Sequence, residues 1–262
     1  MREVAGSFAD ALAAVVPAEP IDVARARAQH AAYVDALREL GVEVVWATSA
    51  ASEPDCPDGV FVEDTAVVAG GVVVLTRPGA PSRRPEVDAV ARVLAARAAA
   101  APAGEVLMLW RMGEPATLDG GDCLRLDAQK TIYVGRSART NAAGAAFLRA
   151  AVAAIGWRVV EVTMPPGVLH LKSVCAPLGA GTVVVAEGSF PEGTFGDARV
   201  LRVPAAESAS ANLVCVGRGA LVAADGEHTA RLVAAEGYRV LRVDTSELRK
   251  ADGALTCLSV LL

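Results

Sequence analysis

No Cys-x-x-Cys pair occurs in this chain of 262 residues, and no histidine stands close enough to any of its five cysteines to complete a zinc-binding spacing. A structural zinc or other metal site is therefore not expected. Cys56, Cys123, Cys175, Cys215 and Cys257 are odd in number and widely spaced, which predicts free thiols in a reducing compartment. No stretch approaches the roughly twenty apolar residues that span a bilayer, and the N-terminus lacks a basic region followed by an apolar stretch and small-residue cleavage site. A cytoplasmic protein that does not engage a membrane is the expectation. Positive charge is also short: 25 Lys and Arg face 30 Asp and Glu, a net charge of -5. Nucleic acid is excluded as a partner, because phosphate backbones are met by clustered Lys and Arg. An acidic pocket for a cationic small molecule suits this balance better. Finally, no linker rich in Pro, Gly or Ser interrupts the chain, so residues 1–262 read as one domain.

What the chain does have is apolar residues, 53% of the total, enough for a sizeable core. Ile21 to Leu40 reads as an amphipathic helix, with Asp22 placed to cap its start and Gly41 to close it. Val42 to Trp46 reads as a buried strand and Ser52 to Gly59 as a polar loop. A pattern then recurs. Val60 to Ala69 and Val72 to Thr76 flank a Gly-Gly hairpin signal and precede a helix over Pro85 to Ala100. Gly121 to Leu126 with Thr131 to Val134, the helix Asn141 to Ile155 and the strand Trp157 to Val162 repeat it. Leu171 to Leu178 with Thr182 to Glu187 follows, then Asn212 to Val216 with Gly219 to Ala223, the helix Glu227 to Glu236 and the strand Tyr238 to Val243. A fifth unit ends at Leu262, and the helix between the third and fourth (Gly193 to Asp197, then Arg202 to Glu207) is weak. Repeats of about forty to fifty residues imply a closed radial α/β arrangement, in which the equivalent turns meet near one axis.

Polar residues cluster where each unit starts. Glu63 and Asp64 interrupt an apolar run (VFVEDTAVV) just after Asp58, and buried carboxylates require a cation; a guanidinium suits them best. Asp119 lies in L-D-G-G-D, either a tight turn or a carboxylate held to orient a histidine. His170 opens the third unit, whereas His30 and His228 fall in helices as surface or internally satisfied positions. Cys257 lies at a loop-to-strand junction in DGALTCLSVLL, placed as a nucleophile with His170 as base and Asp119 as orienter. Arg83 and Arg139, attached to the first two units, are placed to bind a carboxylate.

Taken together and in order, PDGVFVEDTAVV, TRPGAPSRRPEVD, TLDGGD, RTN, LHLKS and DGALTCLSV resemble the dimethylarginine dimethylaminohydrolase family from about Asp22 to the C-terminus. L-D-G-G-D alone is shared with the wider guanidino-group-modifying superfamily. The resemblance implies the five-bladed α/β propeller called the pentein fold and the hydrolysis of methylated arginine to citrulline without metal or organic cofactor. It implies Cys257 as nucleophile, His170 as general acid and base, and Asp119 as its partner. It further implies that Asp58, Glu63 and Asp64 take the guanidinium end, that Arg83 and Arg139 take the α-carboxylate, and that Ala251 and Asp252 contact the substrate. The family's lid loop looks shortened around Ala14 to Pro20. Two alternatives stay open: hydrolysis of arginine or another substituted guanidine, and a non-catalytic propeller that binds such cations. A monomer and a homodimer are equally compatible with the sequence.

Overall fold

The computed structural model describes residues 1–50, 53–100, 107–179 and 181–262; Ser52, the first residue of the expected polar loop, lies outside them. Four three-stranded sheets arise from one repeated plan. In each, an antiparallel pair is extended by a parallel third strand: β1 (Ala66–Ala69), β2 (Val72–Leu75) and β3 (Met108–Arg111); β4 (Cys123–Leu126), β5 (Thr131–Arg136) and β6 (Arg158–Thr163). The others are β7 (Cys175–Gly179), β8 (Thr182–Ala186) and β9 (Arg199–Val203), then β10 (Val214–Val216), β11 (Gly219–Ala223) and β12 (Arg239–Val243). The parallel step needs a crossover, supplied by α2 (Glu86–Ala99), α3 (Ala142–Ala153) and α4 (Glu227–Ala235) in three of the units. The third unit crosses over without an α-helix, and Arg202 and Val203, read from sequence as weakly helical, pair instead within β9.

Local chemistry accounts for the boundaries. Helix α1 (Val23–Glu39) starts where Asp22 accepts the Arg25 N–H at 3.0 Å. It stops where Gly41, at φ +82°, lets the Gly41 and Val42 N–H groups return to the Arg38 and Leu37 carbonyls. Asn141 caps α3 through the Gly144 N–H. The β1–β2 turn uses Gly70 and Gly71, both at positive φ, as a two-residue hairpin demands.

Five apolar clusters lie between successive units and close the ring. Val72 and Val74 pack with Ile132 and Leu148; Leu124 with Val183 and Val185; Leu178 and Val184 with Ala220 and Val222. Leu221 then meets Tyr33 and Leu37 of α1 together with Leu258, and Val73 and Leu75 meet Ala47, with Val260 packed alongside. The expected fifth unit, drawn from both ends of the chain, contains no strand among the described residues, so four sheets stand where five were expected. Residues 42–47 form no strand but exchange hydrogen bonds with residue 1 (Met1 N to Val45 O, Ala47 N to Met1 O), and Val45 is 51% exposed, so this is not a buried strand.

The first strand of each hairpin starts later than its hydrophobicity suggests. A 3-10 turn precedes it every time: Val62–Thr65, Gly120–Asp122, Leu171–Ser173, Ala205–Ala211 and, in the fifth unit, Thr256–Leu258. Glu63 and Asp64 thus lie on a turn, not on a strand from Val60. A strand would send adjacent side chains to opposite faces, whereas the 3-10 turn, at three residues per turn, lets both be buried beside the axis. Cys257 likewise sits within a 3-10 turn, and Ser259, with an extended backbone, leads into residues that belong to no strand.

Candidate active site

The turns of successive units touch one another, and four of them carry or border the candidate side chains. Asp58, Asp64, Arg83, Arg139, His170 and Cys257 line a single narrow hollow. Ala251, Asp252 and Gly253 form another part of the wall, Phe61 a third, and Leu12 reaches it from the N-terminal segment.

Glycine makes the gathering possible. A Cβ on Gly120 would lie 2.0 Å from the Glu63 carbonyl oxygen, and one on Gly121 would lie 2.7 Å from His170 Nδ1. The Gly-Gly pair in L-D-G-G-D is therefore required by close approach of the neighbouring turns. Asp119, fully buried behind the hollow, accepts the Gly79 N–H at 2.8 Å and lies 3.0 Å from His170 Nε2. Asp64 accepts the Gly121 N–H at 2.8 Å and is paired with Arg83 at 2.6 Å. Its other charged neighbour is His170, whose Nδ1 lies 4.0 Å from Asp64 Oδ1.

These contacts set the charge states. Burial alone would lower the His170 pKa, yet the Asp64 charge and the Asp119 hydrogen bond outweigh it and raise the value to about 9. Asp64 responds in kind: burial opposes ionisation, but His170 and Arg83 bring it down to about 2. Burial, with Glu63 and Asp64 adding to it, pushes the Cys257 thiol up. The resting site thus pairs an imidazolium with a protonated thiol. One consequence is a pH-dependent stability. A histidine raised from 6.5 to about 9 contributes fully below pH 6.5 and loses its contribution as pH rises through 9. Melting temperatures of the wild type should fall across that window by an amount equivalent to about 3 kcal/mol, and those of His170→Gln should not. Parallel curves for the two proteins would contradict the pairing.

The arginines divide. Arg83 is 3% exposed; its Nε and Nη2 reach Glu86, Nη2 also reaches the Phe61 carbonyl, and Nη1 reaches Asp64. Of five N–H donors, one is left for a ligand. Arg139 makes a longer contact, 3.5 Å to Asp119, and is partly exposed. Glu63 does not line the hollow, because Lys172 Nζ and Thr256 Oγ1 hold its two oxygens away from it. That differs from the expectation that it faces a guanidinium. His30 differs too: it is buried, its Nε2 has no partner among the described residues, and burial lowers its pKa to about 4.

Two cavity carboxylates also hold the N-terminal strap. Asp58 accepts the Leu12 N–H at 3.0 Å and Asp252, at φ +56°, accepts the Ala14 N–H at 2.5 Å. Val15 and Val16 beside them are exposed.

Sequence reasoning passed over Asp122, which accepts the Ser137 and Thr140 hydroxyls at 2.6 Å and the Leu171 N–H, joining the second and third turns. It also passed over Lys172, Asn212 and Thr256. A lysine inside the apolar stretch LHLKSVC was the available signal. Among the described residues, ligand atoms of Asp64, Asp119 and His170 lie within 4.8 Å of one another, the spacing of a metal-ligand set. Arg83 and the Gly121 N–H already engage Asp64, and the Gly79 N–H engages Asp119, so the set is built to meet hydrogen-bond donors.

Comparison with known proteins places these features. A family model described as eukaryotic N,N dimethylarginine dimethylhydrolase matches residues 13–202. The chain is 41% identical to the N(G),N(G)-dimethylarginine dimethylaminohydrolase of Streptomyces coelicolor, covering 100% of this chain and 95% of that one. It is 34% identical to the enzyme of the same name from Pseudomonas aeruginosa, covering 99% and 96%. The solved P. aeruginosa structure, a cysteine-to-serine variant complexed with citrulline, superposes with a TM-score of 0.86 at 33% identity over 98% of this chain and 95% of that one. The N-terminal domain of a cyanobacterial arginine dihydrolase shares the fold, with a TM-score of 0.77 at 18% identity over 92% and 87%.

Proposed function

The chain belongs to the dimethylarginine dimethylaminohydrolase family, and from that premise we propose that it hydrolyses Nω,Nω-dimethyl-L-arginine, and Nω-monomethyl-L-arginine, to L-citrulline with release of dimethylamine or methylamine. The observation that carries this reading is the arrangement of Cys257 and the Asp119-held His170 in one hollow with Asp58 and Asp64.

Asp58 and Asp64 face the guanidinium and set its plane so that the central carbon meets the Cys257 sulfur. The substrate cation adds positive charge beside a thiol whose proton is otherwise held by burial and by Glu63 and Asp64, and so favours the thiolate. The thiol proton is released to solvent as the cation binds, and the thiolate sulfur adds to the guanidinium carbon. His170, charged at neutral pH, passes its proton to the departing amine nitrogen as the C–N bond breaks, leaving a thiouronium on Cys257. The neutral imidazole next takes a proton from water, whose oxygen adds to the same carbon; collapse expels the thiol and releases citrulline. Arg139 takes the α-carboxylate, joined by the one uncommitted N–H of Arg83. Backbone at Ala251 and the Asp252 carboxylate contact the rest of the amino acid, and the Leu12 strap covers it.

A single domain over residues 1–262, as a monomer or a homodimer, fits this reading. The five free cysteines suit a reducing cytoplasm, and no helix among the described residues is long and apolar enough to cross a membrane. Citrulline formation measured side by side from dimethylarginine, monomethylarginine and arginine tests the assignment. The methylated substrates should exceed arginine in kcat/KM by at least about tenfold, and a preference for arginine would replace the proposal with a deiminase.

A further inference from the structure

Beside the hollow, the buried side chains of Glu63, Asn212 and Thr256 and the partly buried Lys172, from four different turns, close on one another. Lys172 Nζ lies 2.5 Å from Glu63 Oε1, and the Thr256 hydroxyl donates to Glu63 Oε2 at 2.8 Å. Asn212 Nδ2 donates to the Lys172 carbonyl at 2.8 Å and to Thr256 Oγ1 at 2.9 Å, while Asn212 Oδ1 accepts the Thr256 N–H at 3.0 Å. Thr256 immediately precedes Cys257, and Lys172 is two residues after His170. The knot therefore ties the turn that carries the nucleophile to the turn that carries the acid and base.

A buried ion pair is weak evidence of stability, since apolar residues of equal volume do as well or better. Its location suggests another use. We propose that Lys172 is a positioning residue for the reaction: its ammonium neutralises Glu63 beside the nucleophile and, through Glu63, Thr256 and Asn212, holds Cys257 in register with His170 while keeping the thiolate attainable. The charges that face Cys257 bear this out. Burial and the Glu63 and Asp64 carboxylates disfavour its ionisation, and Lys172 opposes them. His170, Asp58, Asp252, Arg83 and Arg139 border the same hollow, and the Tyr33 phenol of α1 lies on the far side, bonded to Ser259. Among these groups, Glu63 and Lys172 form a matched pair outside the cavity wall, so each can be altered without touching a residue that lines it.

The inference rests on Cys257 being the nucleophile, but its test reads the thiol without turnover, so the two stand or fall separately. The alkylation rate of Cys257 by iodoacetamide is followed against pH without substrate, with peptide mass spectrometry separating this thiol from the other four. Glu63→Gln keeps the shape and leaves Lys172 uncompensated, so alkylation at neutral pH should rise roughly tenfold. Lys172→Met leaves Glu63, which yields its proton before the thiol does; Cys257 then ionises beside an unneutralised carboxylate, and alkylation should fall roughly tenfold. The double variant should return to within about threefold of wild type. Merely structural loosening would move both single variants the same way; that result, or no movement in either, overturns the proposal. If Lys172→Met does not fold, Glu63→Gln decides alone, and an unchanged rate rejects the idea.

Discussion

Cys257→Ser should lose citrulline production by at least about 10⁴-fold while binding dimethylarginine with nearly wild-type affinity. The serine hydroxyl is close in size to the thiol and keeps the wall of the hollow, so the carboxylates and arginines that hold the substrate are undisturbed. What disappears is a nucleophile that ionises in the accessible range: a thiol begins near 8.5, and even after burial and two carboxylates raise it, the substrate cation and Lys172 work to lower it. No such balance rescues an alkanol. Single-turnover assays with mass spectrometry of the protein are the direct check, since the wild type should carry a transient thiouronium adduct on Cys257 and the serine variant none. Retained citrulline production by the variant would disprove the nucleophile assignment, and with it the covalent route.

The second large effect separates two residues that look alike in sequence. Arg83→Ala should destabilise the protein by about 3–5 kcal/mol, because it strands the buried carboxylates of Asp64 and Glu86. Burial already pushes Glu86 up to about 7 with the arginine present, and without it Glu86 would hold its proton through neutral pH. Arg139→Ala, by contrast, removes a partly exposed side chain with one long contact to Asp119. Its stability should change by less than about 1 kcal/mol while KM rises roughly 10- to 100-fold and kcat is largely kept. Thermal melts beside steady-state kinetics measure both. If Arg83→Ala melts like the wild type and only KM rises, Arg83 is a ligand-binding arginine like Arg139 and the buried cluster is not what holds Asp64.

How far these residues were legible from sequence depends on what each one needs. Repeat spacing and hairpin signals such as Gly70-Gly71 are local, so the succession of hairpin and helix and the cap at Asp22 could be read directly. Strands β3 and β9 were not: three of the four residues of β3 are exposed, Leu109 and Trp110 among them, and β9, though its sequence and burial match those of β12, follows no α-helix that would mark a parallel crossover. Apolar runs also misplaced the starts of the first strands, since hydrophobicity does not distinguish a buried 3-10 turn from a buried strand.

Which residues are candidates for the chemistry was legible in the sequence alone: a cysteine, a histidine and acids recurring at the starts of repeats, in motifs ordered as in one family. Only the tertiary structure decided how they share the work. It committed three of the Arg83 donors to Asp64 and Glu86 and a fourth to the Phe61 carbonyl, drew Glu63 away from the hollow to Lys172, and brought in Asn212 and Thr256 from turns that no motif had marked. The reason is physical: residue type and spacing fix what a side chain is able to donate, accept or attack. Which partner it meets depends on turns about fifty residues apart being pressed together by the apolar clusters between the units, and that depends on the whole ring closing.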